Sequence, residues 1–111
     1  MSRIKALSES EITKQIRGVL RHCKIFHYKA WQGPMSQKGV ADIIGIHDGR
    51  FLAIEIKHGS WWPPKTGTKQ FKHYQAQKNF LDQVNSMGGI GFFAQGVEEV
   101  IERLGLKVWV E

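Results

Sequence analysis

The stretch that decides the fold covers residues 39–57 and reads GVADIIGIHDGRFLAIEIK. Its centre is Asp48-Gly49, which separates two apolar runs. An Asp-Gly pair in that setting is the strongest short-range signal for a β-hairpin, usually with a two-residue type I′ loop. The stretch therefore predicts two antiparallel strands in which His47 pairs with Arg50.

This register brings three ionisable side chains onto one face of the hairpin. Asp42 falls directly opposite Glu55, where Cβ atoms are only ~4.5–5.5 Å apart and like charges are destabilising. Lys57 shares their face because side chains alternate along a strand. A β-bulge would change the register, so the convergence depends on a regular hairpin. Ionised groups are costly to bury without a partner, so the face predicts a site that holds a metal ion and a phosphate.

Composition narrows the class of protein. The 111 residues fit one domain, residues 1–111, and a hydrophobic content of 41% predicts a folded chain. The formal charge of +6 favours a polyanionic partner, nucleic acid first, although a merely soluble basic surface is the alternative. A single cysteine, Cys23, excludes an intramolecular disulfide and a cysteine-based zinc cluster. With no apolar signal segment and no stretch long enough for a bilayer, we expect a cytoplasmic protein without a membrane partner.

Periodicity predicts an α/β fold whose mixed sheet is flanked by helices. Ser8 and Glu11 predict a capping box at the start of the first helix. The later β-α-β unit should add a parallel strand by a right-handed crossover. The predicted order α-β-β-β-α-β-α-β comprises a helix at 8–22, strands at 25–31, 40–46 and 50–57, a helix at 71–87, a strand at 90–94, a helix at 97–104 and a strand at 106–110.

The chemistry of the hairpin face suits metal-dependent phosphodiester cleavage. Carboxylate oxygens such as those of Asp42 and Glu55 are the hard ligands that Mg²⁺ prefers. A bound metal lowers the pKa of its water and offsets charge on the leaving oxygen. Lys57 would orient that water or stabilise the charge of the transition state. The alternative is a solvated strand face, which the opposed Asp42 disfavours because ordinary sheets more often pair Glu55 with a cation.

The same residues carry a resemblance to a known family. Residues 11–94 resemble the VRR-NUC nucleases, the virus-type replication-repair nuclease domain of the PD-(D/E)xK superfamily. The stretches that carry the resemblance are 39–45 (GVADIIG), 50–57 (RFLAIEIK), 77–81 (QKNFL) and 88–92 (GGIGF). Their order and spacing are more specific than any one of them. The short chain is similar to the stand-alone members from phages and bacteria, which implies a restriction-endonuclease-like core, a homodimer and, for a phage protein, the host cytoplasm.

The resemblance also implies roles for individual residues. Asp42 and Glu55 would be metal ligands, with the main-chain carbonyl of Ile56 as a further ligand, and Lys57 would be the catalytic lysine. Two more positions match the family: Gln77, which would approach the site from the helix after the catalytic strands, and Glu11, which would complete the metal shell. One departure is Ala41, where the superfamily expects proline. Its loss weakens the motif as a signature but removes no chemistry.

Nucleic-acid contacts are predicted from basic and aromatic side chains near the site. Lysines there would hold phosphates with strong salt dependence. Trp61 and Trp62, in a long loop at about 58–69, would either stack on unpaired bases or pack against a dimer partner. The five histidines show no metal-ligand spacing on one element, so no role is predicted for them. The lysines are Lys38, Lys65, Lys69, Lys72 and Lys78.

Together these features predict an endonuclease that requires Mg²⁺ or Mn²⁺ and hydrolyses DNA phosphodiesters without a covalent enzyme intermediate or a small-molecule cofactor. As a homodimer it would suit branched or junction DNA, an inference by analogy with the family. The alternatives are a non-catalytic DNA-binding module with the same fold and an RNA-processing factor.

Overall fold

A computed structural model describes residues 7–31 and 39–107. Its elements are α1 (Glu9–His22), β1 (His27–Lys29), β2 (Ile43–His47), β3 (Arg50–Ile56), α2 (Lys69–Ser86), β4 (Ile90–Ala94) and α3 (Val97–Leu104). The four strands form one sheet in the order β1-β2-β3-β4. The first three strands are antiparallel and β4 is parallel to β3, so the prediction of a mixed sheet is confirmed. No helix in the described part of the chain combines the length and apolar character needed to cross a bilayer.

The β2–β3 hairpin has the register that the Asp-Gly turn predicts, since His47 pairs with Arg50. Asp48 and Gly49 have φ values of +55° and +77°, as a type I′ turn requires. The β2–β3 ladder ends at the pair formed by Ile43 and Ile54. Asp42, the residue preceding Ile43 in the chain, lies outside the ladder in a bend. Here a side chain replaces the backbone as the hydrogen-bond acceptor for β3, because Asp42 Oδ2 accepts a hydrogen bond of 2.8 Å from the backbone N–H of Ile56.

Helices cover both faces of the sheet and create two apolar clusters. On one face, α1 and α3 pack on alternate residues of β3 such as Ile54 and Ile56. On the other face, Leu81 of α2 packs on Ala53. Because side chains alternate along β3, Glu55 belongs to the α2 face. The sheet therefore buries the centre of one face under α1 and α3 and places a carboxyl group on the other face.

The ends of the elements differ in places from the predicted ones. The capping box at Ser8 and Glu11 is present. Helix α2 begins two residues before the predicted start because the Thr68 hydroxyl caps it. Strand β1 is shorter than the predicted 25–31. The predicted last strand, 106–110, lies mostly outside the described residues, and its described part, 106–107, is not strand, so the full element order remains a prediction.

Candidate active site

The structure brings Asp42, Glu55, Lys57 and Gln77 together around one cavity of about 380 Å³, here called the acidic cavity. The bend before β2 supplies Asp42. Strand β3 supplies Glu55, the residue after this strand is Lys57, and α2 supplies Gln77. The cavity is also lined by Glu9, Gly39, Val40 and His73. Residues far apart in the sequence therefore form one polar cluster on the α2 face of the sheet.

Gln77 connects Glu55, on β3, with Lys57, the residue that follows this strand. Its amide nitrogen donates to Glu55 Oε2 at 2.8 Å, and its carbonyl oxygen accepts from Lys57 Nζ at 2.7 Å. All three side chains are at least nine-tenths buried, with 5% to 8% of their surface exposed. The direct distance between Lys57 Nζ and Glu55 Oε2 is 4.0 Å, so Gln77 and not a close ion pair connects them. These two hydrogen bonds fix the positions of the Glu55 carboxyl and the Lys57 ammonium group.

Glu55 is costly to ionise in this cluster. Burial, and then the neighbouring Asp42 carboxylate, raise its pKa to about 9. The nearby Lys57 and Glu9 act in opposite directions and leave the net shift upward. Its second oxygen, Oε1, is buried and receives no hydrogen bond from any described residue. In the metal-free protein Glu55 keeps its proton and donates it in a hydrogen bond to Asp42. Protonation removes the repulsion that two adjacent ionised carboxylates would have.

Lys57 is held by aromatic rings as well as by Gln77. Its Nζ lies 5.1 Å from the ring centroid of Trp61 and 5.8 Å from that of Phe93. Cation–π contacts at such distances are attractive and strengthen as water is removed. The ammonium group is thereby fixed beside the two carboxylates at the boundary of the acidic cavity.

The donor set fits a hard divalent cation. Mg²⁺ usually takes one or two carboxylates and completes its octahedron with water and substrate phosphate. Asp42 and Glu55 supply two carboxylates, and the peptide group of Ile56 borders them through its hydrogen bond to Asp42. Within residues 7–31 and 39–107, no three acidic, histidine or cysteine side chains are close enough to form a complete site by themselves. The protein alone therefore offers an open two-carboxylate site and not a closed protein cage.

The first turn of α1 places a different glutamate at the cavity from the one predicted. The Glu11 carboxylate accepts a 2.9 Å hydrogen bond from the backbone of Ser8, and this bond lowers the pKa of Glu11. Glu9 lines the acidic cavity instead. The sequence held a signal for this, since Glu9 precedes the buried Ile12 and Ile16 by three and seven residues and so shares their helix face.

His73 is a second residue that the sequence reasoning missed. Its Nε2 lies 3.3 Å from the side-chain amide of Gln77, one helical turn along α2, and it lines the acidic cavity. The four-residue spacing that puts both on one helix face was the available signal. Gln75, the other glutamine of this helix segment, bonds to Asn79 instead of entering the site.

The two tryptophans of the loop before α2 differ in their surroundings. Trp61 is half-buried and stacks on Phe93 at 5.5 Å between ring centroids. Trp62 is 84% exposed. The side-chain amide of Gln95 donates to the carbonyls of His58, Gly59 and Trp61. These contacts hold the first half of the loop against the sheet.

The predicted phosphate-binding lysines also separate. Lys69 lies at the start of α2 and lines a second cavity, which shares Lys57 and His73 with the acidic cavity. Lys78 forms a 2.7 Å ion pair with Asp82. Lys65 and Lys72 are exposed and line none of the cavities described here. Lys38 lies outside the described residues.

No protein-family model, no curated protein and no solved structure matches the chain.

Proposed function

We propose that this chain is a metal-dependent DNA endonuclease with a restriction-endonuclease-like core. The observation that carries the proposal is one cluster of three groups: the buried Glu55 carboxyl, the adjacent Asp42 carboxylate and the Lys57 ammonium group held by Gln77. Such a cluster contributes little to the stability of a fold, because an ionisable side chain is costly to bury beside a second carboxylate. Perturbed acids in a cavity are characteristic of functional sites.

The roles of the residues follow from their chemistry. Asp42, Glu55 and the main-chain carbonyl of Ile56 would hold Mg²⁺ or Mn²⁺, which supplies an acidified water and neutralises charge on the phosphate. The Lys57 ammonium, fixed by Gln77, stabilises the additional negative charge as the water oxygen bonds to phosphorus. The attacking water gives up one proton to solvent, the bond from phosphorus to the leaving oxygen breaks, and solvent supplies a proton to that oxygen.

DNA is the proposed substrate, bound mainly through phosphates by a basic chain of formal charge +6. The family resemblance adds a homodimer, whose two sites would suit branched or junction DNA. The weak sequence preference that we expect follows from phosphate contacts, which position a protein but read no bases.

Nicking of supercoiled plasmid in Mg²⁺ or Mn²⁺ tests the proposal. We expect wild-type protein to nick, and Asp42→Asn and Lys57→Met to lose at least about a hundredfold in rate, because each removes a group that acts in the transition state. The control is Asp48→Asn, the same substitution at the exposed hairpin turn, which should nick like wild type. Equal rates in Asp42→Asn and wild type would contradict the site.

The two alternatives predict different results with DNA and RNA substrates. A non-catalytic module would bind the plasmid without nicking it in either metal. An RNA-processing factor would cleave a single-stranded RNA and spare the DNA of matched sequence.

A further inference from the structure

A second cavity, of about 580 Å³, adjoins the acidic cavity and shares Lys57 and His73 with it. We call it the aromatic cavity. Its volume is in the range of sites that enclose a small organic ligand. Its other walls come from the loop before α2 and from the first turns of α2, namely Trp61, Trp62, Pro64, Lys69, Gln70 and Tyr74.

One wall of the aromatic cavity is preorganised. Trp61 packs against Tyr74 at 5.7 Å and against Phe93 at 5.5 Å between ring centroids. Gln95 holds the backbone of the loop through three carbonyls, the last of which belongs to Trp61. The chain then enters Pro63 and Pro64, whose rings restrict φ. A wall that is already fixed loses little conformational entropy when a ligand binds.

Trp62 provides the other aromatic wall, and its ring has little protein around it. It is the most exposed of the large hydrophobic side chains in the described part of the chain, at 84%. A ring this exposed, next to a fixed wall, leaves a flat apolar face available for stacking. Aromatic faces of this kind bind nucleobases in a sequence-tolerant way, because every base has a π-face.

The charges around the aromatic cavity select the kind of ligand. Lys57 lies at its junction with the acidic cavity, and Lys69 lies on the α2 wall. Both carry positive charge, and no Asp or Glu lines this cavity among the described residues. A ligand with a flat apolar ring and an adjacent phosphate complements this arrangement. A neutral apolar peptide would not complement the positive charge of Lys69 on the α2 wall.

We propose that the aromatic cavity binds the base of an unpaired nucleotide directly adjacent to the phosphate that enters the acidic cavity. This inference rests on the proposed function and extends it to the choice of substrate. A base inside a duplex is stacked and paired, so it reaches a protein pocket only after it is pulled out. The cavity therefore favours DNA that already has an unpaired nucleotide beside the cleaved bond.

A fluorescence scan tests the subsite without cleavage. Short DNA duplexes with one unpaired nucleotide carry a single 2-aminopurine, placed in turn at the unpaired position and at the paired positions on either side, and are titrated in EDTA. We expect strong quenching by stacking on tryptophan at one position. Trp62→Ala should weaken binding roughly fivefold to a hundredfold, the range that stacking on one aromatic residue provides, and abolish the position dependence. Trp62→Phe should retain both.

Phe26→Ala is the matched control, because Phe26 is also an exposed aromatic residue, at 66%, and does not line the cavity. It should bind and quench like wild type. Trp62→Ala with wild-type affinity and an unchanged scan would overturn the subsite, as would quenching that is uniform along the strand. Plasmid nicking reports on the proposed function separately. Nicking without a Trp62 effect removes the subsite alone, and a Trp62 effect without nicking removes the nuclease alone.

Discussion

At the scale of single residues, Glu55 determines how the metal-free protein responds to pH. Its pKa is raised from 4.5 to about 9 in the folded chain, mainly by burial. Between these two values the folded protein holds a proton that the unfolded chain releases. The free energy of unfolding therefore falls as pH rises through this window, and the full penalty is present above it.

The substitution Glu55→Gln removes this penalty. We expect the variant to be more stable than wild type at about pH 8 by an amount on the order of a few kcal/mol, and to have a flatter pH profile of stability. Urea denaturation across the pH range measures both. Glu102→Gln, an exposed glutamate of α3, should follow the wild-type profile. A wild type whose stability rises from pH 5 to pH 9 relative to Glu55→Gln would contradict the raised pKa.

Gln77 is the residue whose loss should disturb the site most without changing a charge. Gln77→Leu removes the donor to Glu55 and the acceptor for Lys57. Two buried groups then lack a partner, so we expect a loss of about 1–3 kcal/mol in the free energy of unfolding. Gln75→Leu, on the same helix, should change it by no more than about 0.5 kcal/mol. Equal losses in the two variants would show that the bridge contributes nothing specific.

At the scale of elements, substitutions at two glycines distinguish the effect of φ strain from the effect of a close contact with α2. Gly39 and Gly49 have nearly the same φ, +80° and +77°. A Cβ on Gly39 would lie 2.5 Å from the carbonyl oxygen of Ala76, next to Gln77 on α2, whereas a Cβ on Gly49 would meet no atom within 4 Å. Gly39 thus permits the close approach between the bend of Asp42 and α2.

We expect Gly49→Ala to cost about 1–2 kcal/mol of stability through φ strain alone and to leave plasmid nicking unchanged. Gly39→Ala should cost more stability and also reduce nicking, because α2 must move away from the bend that carries Asp42. Denaturation and nicking of the two variants provide the measurements. Nicking by Gly39→Ala at the wild-type rate would show that this contact does not position the site.

Helix α2 also provides a matched pair of lysines for DNA binding. Lys69→Ala should weaken DNA binding and lower the slope of log K against log salt by about one, as the loss of one phosphate contact does. Lys78→Ala should leave the slope unchanged, since this ammonium group already pairs with Asp82. Anisotropy titrations over a range of salt concentrations give the slopes. A smaller slope in Lys78→Ala than in Lys69→Ala would reverse the assignment.

At the scale of the whole molecule, local signals were sufficient for the hairpin and insufficient for the surroundings of the site. The Asp-Gly turn predicted the register of the hairpin, and with it the face of β3 that carries Glu55. The predicted pairing of Asp42 opposite Glu55 is replaced by a bond from the Asp42 carboxylate to the backbone of Ile56, because the ladder ends at Ile43. The choice between Glu9 and Glu11 could not be read from the capping box, because that motif describes one carboxylate and says nothing about the other. The stacking of Trp61 on Phe93 depends on tertiary packing between a loop and a strand, which no periodicity reports.

We propose that α1, the β2–β3 hairpin and α2 together form a cation site in which a bound metal replaces the proton on Glu55. Because Glu55 holds a proton up to about pH 9, a metal that binds its carboxylate must displace that proton. Asp42→Asn keeps the size of the side chain but removes the neighbouring charge. It is therefore the variant that separates metal binding at this site from binding elsewhere.

The most direct measurement is calorimetric titration of Mn²⁺ at about pH 7.5 in two buffers that differ in ionisation enthalpy, which yields both the affinity and the protons released. We predict that wild-type protein binds Mn²⁺ and releases close to one proton per metal ion, and that Asp42→Asn and Glu55→Gln bind at least about tenfold more weakly. Absence of Mn²⁺ binding, or binding of equal affinity and without proton release in all three proteins, would contradict the claim.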